Sequence, residues 1–268
     1  MNHMYEINNI DNELPIKIYN HTYNTNFNMQ PHLHDEIELI YIEKGKLNCI
    51  VDGKTTTYNQ DDIIVINSKS IHYLTFLLDN TTLITLLLSN RLIKKYDFRE
   101  YLFDETQINK LKNEILPLIF FLRNKRKSND GLSIFKRHTK MYELYEILLF
   151  KCSIVNKETE KSQIQNIIEY IDINYNKEIS LNKLSSKFGF SYVYLSRMFK
   201  EKTGMNITQY LNNIRINHAY VDILNTDDSM LTISYRHGFR NINAFYREFK
   251  KHYNESPLKI RKLNNSMK

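Results

Sequence analysis

At 268 residues, with 42% hydrophobic and 25% charged side chains, the chain has the size of two ordinary domains and the balance of a soluble globular protein. Its net charge of +7 lies in the back part: residues 163–268 hold 16 Lys and Arg against 9 Asp and Glu, whereas residues 1–162 hold 21 of each, so attraction to phosphate is expected of the back part alone. The 6 glycines form no cluster able to cradle a phosphate, which argues against nucleotide-dependent enzymes, and the absence of a long apolar run or a leader core predicts a cytoplasmic protein with no membrane partner. Cys49 and Cys152 sit far apart in apolar settings and read as buried thiols of a reducing compartment.

Residues 1–30 are Asn-rich and weakly patterned, an arm leading into a first strand near Ile16–Tyr19. Six short strand-like runs follow, Ile37–Ile42, Lys46–Val51, Thr55–Tyr58, Ile63–Ile66, His72–Leu78 and Leu83–Leu88, several separated by polar turns such as Asp52-Gly53. Closely spaced strands of this kind imply a small barrel or jelly roll. His32-x-His34, followed by Glu38 and Gly45, resembles the first cupin motif. The stretch from Asp61-Asp62-Ile63 to His72 resembles the second, with Asp61 where glycine is usual and Ser68 where proline is usual.

Three imidazoles and a carboxylate, from His32, His34, His72 and Glu38, would suit Fe, Mn, Ni or Zn in an open site. Strand alternation would place His32, His34, Glu36 and Glu38 on one face. Because the second motif departs from its usual form at two positions, the preferred reading is a polar effector pocket without metal or other cofactor. Its lining would be His32, His34, Glu38 and His72, with Tyr41 or Tyr73 as stacking or rim partners, and a barrel of this size has room for one small ligand.

After Asn90 the pattern becomes helical. Ile108, Leu111, Ile115 and Leu122 mark one stripe, interrupted by Pro117, where a kink or restart is expected. A second helix over Ile134–Ile154 would carry Phe135, His138, Met141, Tyr142, Tyr145, Leu148, Leu149 and Cys152 on its apolar side, either as a dimer interface or packed on the barrel. The basic cluster Arg123-Asn124-Lys125-Arg126-Lys127 between them reads as a solvated loop, and residues 156–162 as an interdomain linker.

Residues 163–268 contain one motif twice. Gly189-Phe190-Ser191 opens a helix ending Arg197-Met198-Phe199-Lys200, and Gly238-Phe239-Arg240-Asn241 opens one ending Arg247-Glu248-Phe249-Lys250. Each follows a shorter helical pattern, at Ile179–Phe188 and Leu231–His237. Helix, glycine turn and capped second helix form the helix-turn-helix plan, whose second helix enters the DNA major groove. The stretch resembles the DNA-binding domain of AraC/XylS-type bacterial transcription regulators, with Ile207–Leu224 as the helix joining the units and Ser256-Pro257 starting the last helix.

In the first unit Leu195 and Phe199 are spaced to face the core. Matched to the family motif, Val193, Ser196 and Arg197 face base edges, and Tyr192 and Lys200 are phosphate candidates. In the second, Phe245 and Phe249 face inward, leaving Arg240, Ile242, Asn243, Tyr246 and Arg247 for DNA, with Arg247 able to hold phosphate or an internal acid instead.

The expected architecture is therefore an α+β two-domain chain. A cupin-like β-barrel or jelly roll with its arm (1–90) and a helical dimerisation segment (91–155) are joined by the linker (156–162) to an all-α domain with two helix-turn-helix units (163–268). The resemblance implies a non-enzymatic regulator that binds double-stranded DNA as a homodimer, meets RNA polymerase and senses a small molecule, a sugar or related polar metabolite. A metal-dependent cupin enzyme or metal sensor carrying a DNA-binding domain is the alternative, and a ligand-free regulator with a self-filled barrel a third reading.

Overall fold

The computed structural model describes residues 14–27, 29–89, 101–124, 131–155 and 162–265. These belong to two compact units, divided between Glu160 and Lys161. Residues 1–13 of the expected arm, Lys125–Lys127 of the basic cluster and 156–161 of the expected linker lie outside the described residues.

In the first unit two antiparallel sheets face each other. One has the order β1 (Ile16–Tyr23), β7 (Thr81–Leu88), β2 (Ile37–Lys44), β5 (Ile63–Ile66); the other has β4 (Lys54–Asn59), β3 (Lys46–Val51), β6 (His72–Phe76). Ile40, Ile42, Ile64, Ile66 and Leu83 from the first sheet meet Leu47, Cys49, Leu74 and Phe76 from the second in an apolar interior. The other face of the four-stranded sheet packs on helices, so Ile37 to Ile42 are all buried. Burial on both faces explains why β2 reads as a nearly continuous apolar run. At the β2–β3 turn Gly45 has φ 104°, and a Cβ there would stand 2.3 Å from Thr81 Oγ1, so only glycine fits.

The helices are α1 (Glu105–Lys110), α2 (Lys112–Arg123) and α3 (Gly131–Lys151), bracketed by the paired strands β8 (Tyr101–Phe103) before them and β9 (Ser153–Val155) after them. The break falls at Leu111, whose N–H donates to Gln107 and Ile108, and not at Pro117. Pro117 lies inside α2, where the forfeited bond is to the Asn113 carbonyl near the helix start. Ile115, Ile119 and Leu122 of α2 and Met141, Leu144, Tyr145 and Leu148 of α3 share a core with Leu39, Ile84 and Leu86 of the sheet. Phe135 and Tyr142, expected on the apolar side of α3, are exposed, as is Phe150.

The second unit is all helical: α4 (Gln163–Asn174), α5 (Leu181–Phe188), α6 (Tyr192–Thr203), α7 (Ile207–Asn225), α8 (Met230–Arg236), α9 (Ile242–Tyr253) and α10 (Pro257–Asn265). Ser162, Ser180, Ser191, Asn206, Ser229 and Asn241 each cap the helix that follows by accepting a backbone N–H, an interaction worth about 1 kcal/mol apiece. Leu195, Phe199, Phe245 and Phe249 are fully buried, each phenylalanine contributing roughly 2 kcal/mol by leaving water.

Candidate nucleic-acid interface and effector site

Burying the Leu195–Phe199 stripe of α6 turns its opposite side outward. Tyr192, Val193, Arg197 and Lys200 are exposed there and Ser196 is half-buried. On α9 the Phe245–Phe249 stripe does the same for Asn243 and Arg247, with Ile242 and Tyr246 half-buried; Arg240 is exposed in the turn before it. The three arginines rest on surface carboxylates: Arg197 lies 3.8 Å from Glu201, Arg247 lies 3.3 Å from its neighbour Glu248, and Arg240 pairs with Glu178. Such exposed pairs are worth at most about 1 kcal/mol and yield to a phosphate or a guanine edge.

Behind α9 lies a polar cluster the repeat gave no sign of. His237 makes hydrogen bonds through Nε2 to Asp222 (2.9 Å) and through Nδ1 to the Tyr175 hydroxyl (3.2 Å), and Arg236 donates to both Asp222 and Asp228. Tyr175 also stacks on His218 at 4.2 Å, while Arg215 donates to the carbonyls of Tyr175 and Lys177. Burial would lift the Asp222 carboxyl, but its bonds to Arg236 and His237 hold it below the usual range. Tyr175 and Lys177 lie about 40 to 60 residues from His237, His218 and Arg215, so no local spacing announces those contacts.

In the first unit, ligand atoms of His32, His34, Glu38 and His72 all lie within 4.8 Å of one another. The expectation that His32, His34, Glu36 and Glu38 share one strand face is corrected: β2 begins at Ile37, and the histidines precede it. His32 is held by a two-way backbone bridge to His72, N–H to carbonyl at 3.0 and 2.9 Å. The Lys69 N–H donates to the His34 carbonyl, and the Ser68 hydroxyl to that of Asp35.

The two departures in the second motif leave the site intact. Asp61 takes the left-handed conformation (φ 72°) that glycine would supply, one that Asp tolerates, and accepts a hydrogen bond from Tyr41. Ser68 ties the β5–β6 loop to the histidine segment.

Tyr41 is not brought to the cluster. It lies an odd number of residues from Glu38, so it faces the helices, edge-on to Phe120. Tyr73 alternates with the inward-facing His72 and Leu74 and lies on the other face of β6. Tyr19 and Tyr23, on β1, went unnoticed in the sequence; burial and then the charge of Glu38 push Tyr23 upward, placing it in the same electrostatic field.

Each cluster imidazole has Nδ1 at a backbone carbonyl: His32 at Gln30 (2.9 Å), His34 at Glu36 (3.0 Å), His72 at Ser70 (2.9 Å). A carbonyl only accepts, so Nδ1 carries the hydrogen in all three. Nε2 of His34 and of His72 lie 3.1 and 2.9 Å from the same Glu38 oxygen. Burial and the charge of His72 press His32 down to about 3. For His34, burial acts against the charge but the Glu38 hydrogen bond outweighs it and raises the pKa; Glu38 is held far below the usual carboxylate range, its two imidazole bonds overcoming burial. By donor chemistry, the set fits a divalent transition metal: three imidazoles and one carboxylate, with carbonyls orienting the rings from behind.

A cupin sandwich followed by two helix-turn-helix units is the architecture of a DNA-binding transcription regulator. The chain matches the cupin domain family over residues 21–86 and the helix-turn-helix domain family over residues 184–263. The matching helix-turn-helix domain is of the AraC type. The chain is 26% identical over 252 residues to the HTH-type transcriptional regulator YdiP of Escherichia coli, covering 86% of this chain and 80% of YdiP. A Staphylococcus aureus HTH-type transcriptional regulator is 23% identical over 231 residues, covering 82% of this chain, which thus spans 31% of that relative. ToxT of Vibrio cholerae shares the fold, with TM-score 0.50 and 13% identity over 92% of this chain and 98% of that one. Among the described residues no helix is long and apolar enough to cross a membrane.

Proposed function

We propose that the chain is a sequence-specific regulator of transcription that acts in the cytoplasm and whose cupin unit receives a small polar effector at His32, His34, Glu38 and His72. The observation that carries the DNA-binding part is the pairing of α6 and α9, each capped, each anchored by a buried stripe, each turning an arginine-bearing face to solvent. Val193, Ser196 and Arg197, with Asn243 and Arg247, read base edges; Tyr192, Lys200, Arg240, Ile242 and Tyr246 contact the backbone or sugar around them. The 19 residues of α7, about 28 Å long at ~1.5 Å per residue, set the two helices into successive major-groove faces. Dimerisation through the exposed Phe135 and Tyr142 of α3, and contact with RNA polymerase, complete the reading.

Selection of binding sites from a random DNA library by the full chain tests it. The expected product is a bipartite site with two short motifs about 10 base pairs apart, bound with strong salt dependence. Enrichment of one short motif alone, or none, would refute two-headed reading. Effector reception at the cluster is tested separately: His34→Ala should change either DNA affinity or the transcriptional response of a promoter carrying the selected site.

A further inference from the structure

We infer that the cleft between the two helix-turn-helix units is a seat for a phosphate of the DNA segment joining the two half-sites, and that Glu178 holds this seat as an internal anion until DNA displaces it. This rests on the reading that α6 and α9 enter successive major-groove faces.

The cleft holds about 220 Å³, and its lining includes Lys177, Glu178, Ser180, Asn212, Arg215 and Arg240. Pockets for drug-sized ligands start at ~300 Å³, so this one suits a small anion better than a metabolite. Its charge points the same way. Lys177, Arg215 and Arg240 line it and Lys183 reaches Glu178 from α5, against one carboxylate among the lining residues. Burial and then the charge of Arg240 lower the Arg215 pKa, so the two guanidiniums repel each other, and a bound anion would relieve that repulsion.

Glu178 is shared across the joint. One of its oxygens accepts from Lys183 of the first helix-turn-helix at 2.9 Å, and the other pairs with Arg240 of the second. A carboxylate bridging two cations stands where two phosphate oxygens can stand. Further donors remain for such a guest. Arg215 gives Nε and Nη2 to the carbonyls of Tyr175 and Lys177 and keeps Nη1. Ser180 accepts the Lys183 N–H and keeps its hydroxyl hydrogen.

The place of the cleft in the fold directs it at the backbone of the duplex. In a helix-turn-helix the first helix crosses the DNA backbone and the second enters the groove by its N-terminus. Ser180 caps α5, the first helix of the first unit, and Arg240 precedes Asn241, the cap of α9, the second helix of the second. The strand that leaves one major-groove face for the next therefore passes between them. Both ion pairs of Glu178 are exposed and so weak, and a phosphate replaces the carboxylate at little cost. The displaced carboxylate, left beside DNA, then works against binding.

The test uses the full chain on the selected bipartite site. Glu178→Gln should bind about threefold tighter or more at low salt and steepen the salt dependence by about one phosphate. Replacing single phosphates between the two motifs by neutral methylphosphonates should weaken binding severalfold at one or two positions, and markedly less in Lys183→Gln. Binding by Glu178→Gln that is unchanged overturns the inference, as does the lack of a sensitive phosphate between the motifs. Weaker binding by that variant overturns it too, making the Glu178–Arg240 pair a structural tie. If millimolar inorganic phosphate raises the thermal midpoint of Glu178→Gln while no methylphosphonate matters, the cleft takes free phosphate and the DNA assignment falls. Failure to select any bipartite site would sink the two-headed reading itself, whereas a bipartite site bound alike by both proteins sinks the phosphate seat alone.

Discussion

The two helix-turn-helix units share a sequence motif and a fold, yet they are mounted differently. In the first, the turn at Gly189 is open: a Cβ placed there meets nothing within 4 Å. In the second, the turn at Gly238 is seated on the chain leading into the first unit, so that a Cβ would stand 2.6 Å from the Asn176 carbonyl oxygen. The polar cluster of Tyr175, Asp222, Arg236 and His237, and Arg215 above the Phe239 ring, reinforce that seat. Duplication has produced one copy with an exposed turn and one whose turn doubles as a joint, so the joint fixes where the first copy sits relative to the second.

The sharpest way to break this comparison is to put alanine at both glycines. Each has positive φ, 73° at Gly189 and 78° at Gly238, which costs an L residue about 1 kcal/mol or somewhat more. Gly238→Ala adds a collision with backbone that has no side chain to swing away, and should lose about 3 kcal/mol or more, against about 1 for Gly189→Ala. Chemical denaturation of the two variants measures the difference; equal losses would mean the second turn is not a joint.

Next in size is the division of labour on DNA. Arg197→Ala should cost about 1–3 kcal/mol on the selected site and relax one base position, whereas Lys200→Ala should weaken specific and random DNA alike. Arg240→Ala should cost less than Arg197→Ala, under about 1 kcal/mol, because Arg240 must give up Glu178 to reach DNA. Gel-shift titrations at several salt concentrations separate these cases, and an identical pattern for Arg197 and Lys200 would remove the distinction between reading and anchoring.

The smallest effect belongs to the first unit's support. Burial lifts Asp172 of α4 from 3.8 to about 6, only partly offset by a hydrogen bond from Tyr210. Since the folded chain disfavours the charged form, this contribution to stability is fullest below the ordinary carboxylate range and is lost as pH rises through about 6. Asp172→Asn should therefore raise stability at pH 8 by on the order of 1 kcal/mol and flatten the pH profile between acid and neutral. Melting curves across pH that are superimposable for the two proteins would show that Asp172 is not so perturbed.

Much of this was legible in the sequence, wherever chemistry is local. Cap residues, glycine turns and the Leu195–Phe199 and Phe245–Phe249 stripes are short-range signals, and they fold as read. Lys46–Val51 and Ile63–Ile66 are strands with the same ends as the sequence pattern implies. The four donors of the cluster could be named from spacing, but not how they meet: alternation assumed one strand, whereas a bridge across to His72 does the work. Period two applied from Glu38 already excludes Tyr41, an odd step away, and that inference was available and missed. On α3 the apolar stripe was too wide to orient, so Leu144 was overlooked and the choice between a dimer interface and packing on the barrel stayed open for Phe135, which the fold leaves exposed. The polar joint of the second unit joins Tyr175 to His237, a long-range pairing for which one sequence carries no local sign.

The extra residue in the second turn, Arg240, has a consequence for anyone recombining the two reading heads. Counted from the N-caps Ser191 and Asn241, Leu195 matches Phe245, Phe199 matches Phe249 and Arg197 matches Arg247. Counted from the glycines, every residue is displaced by one, a rotation of about 100° around the helix. A chimera that transplants α6 into the second unit in glycine register would seat Ser196 and Lys200 in the buried places of Phe245 and Phe249 and shift Phe199 off the core stripe; one spliced at the cap would carry its sequence preference with it.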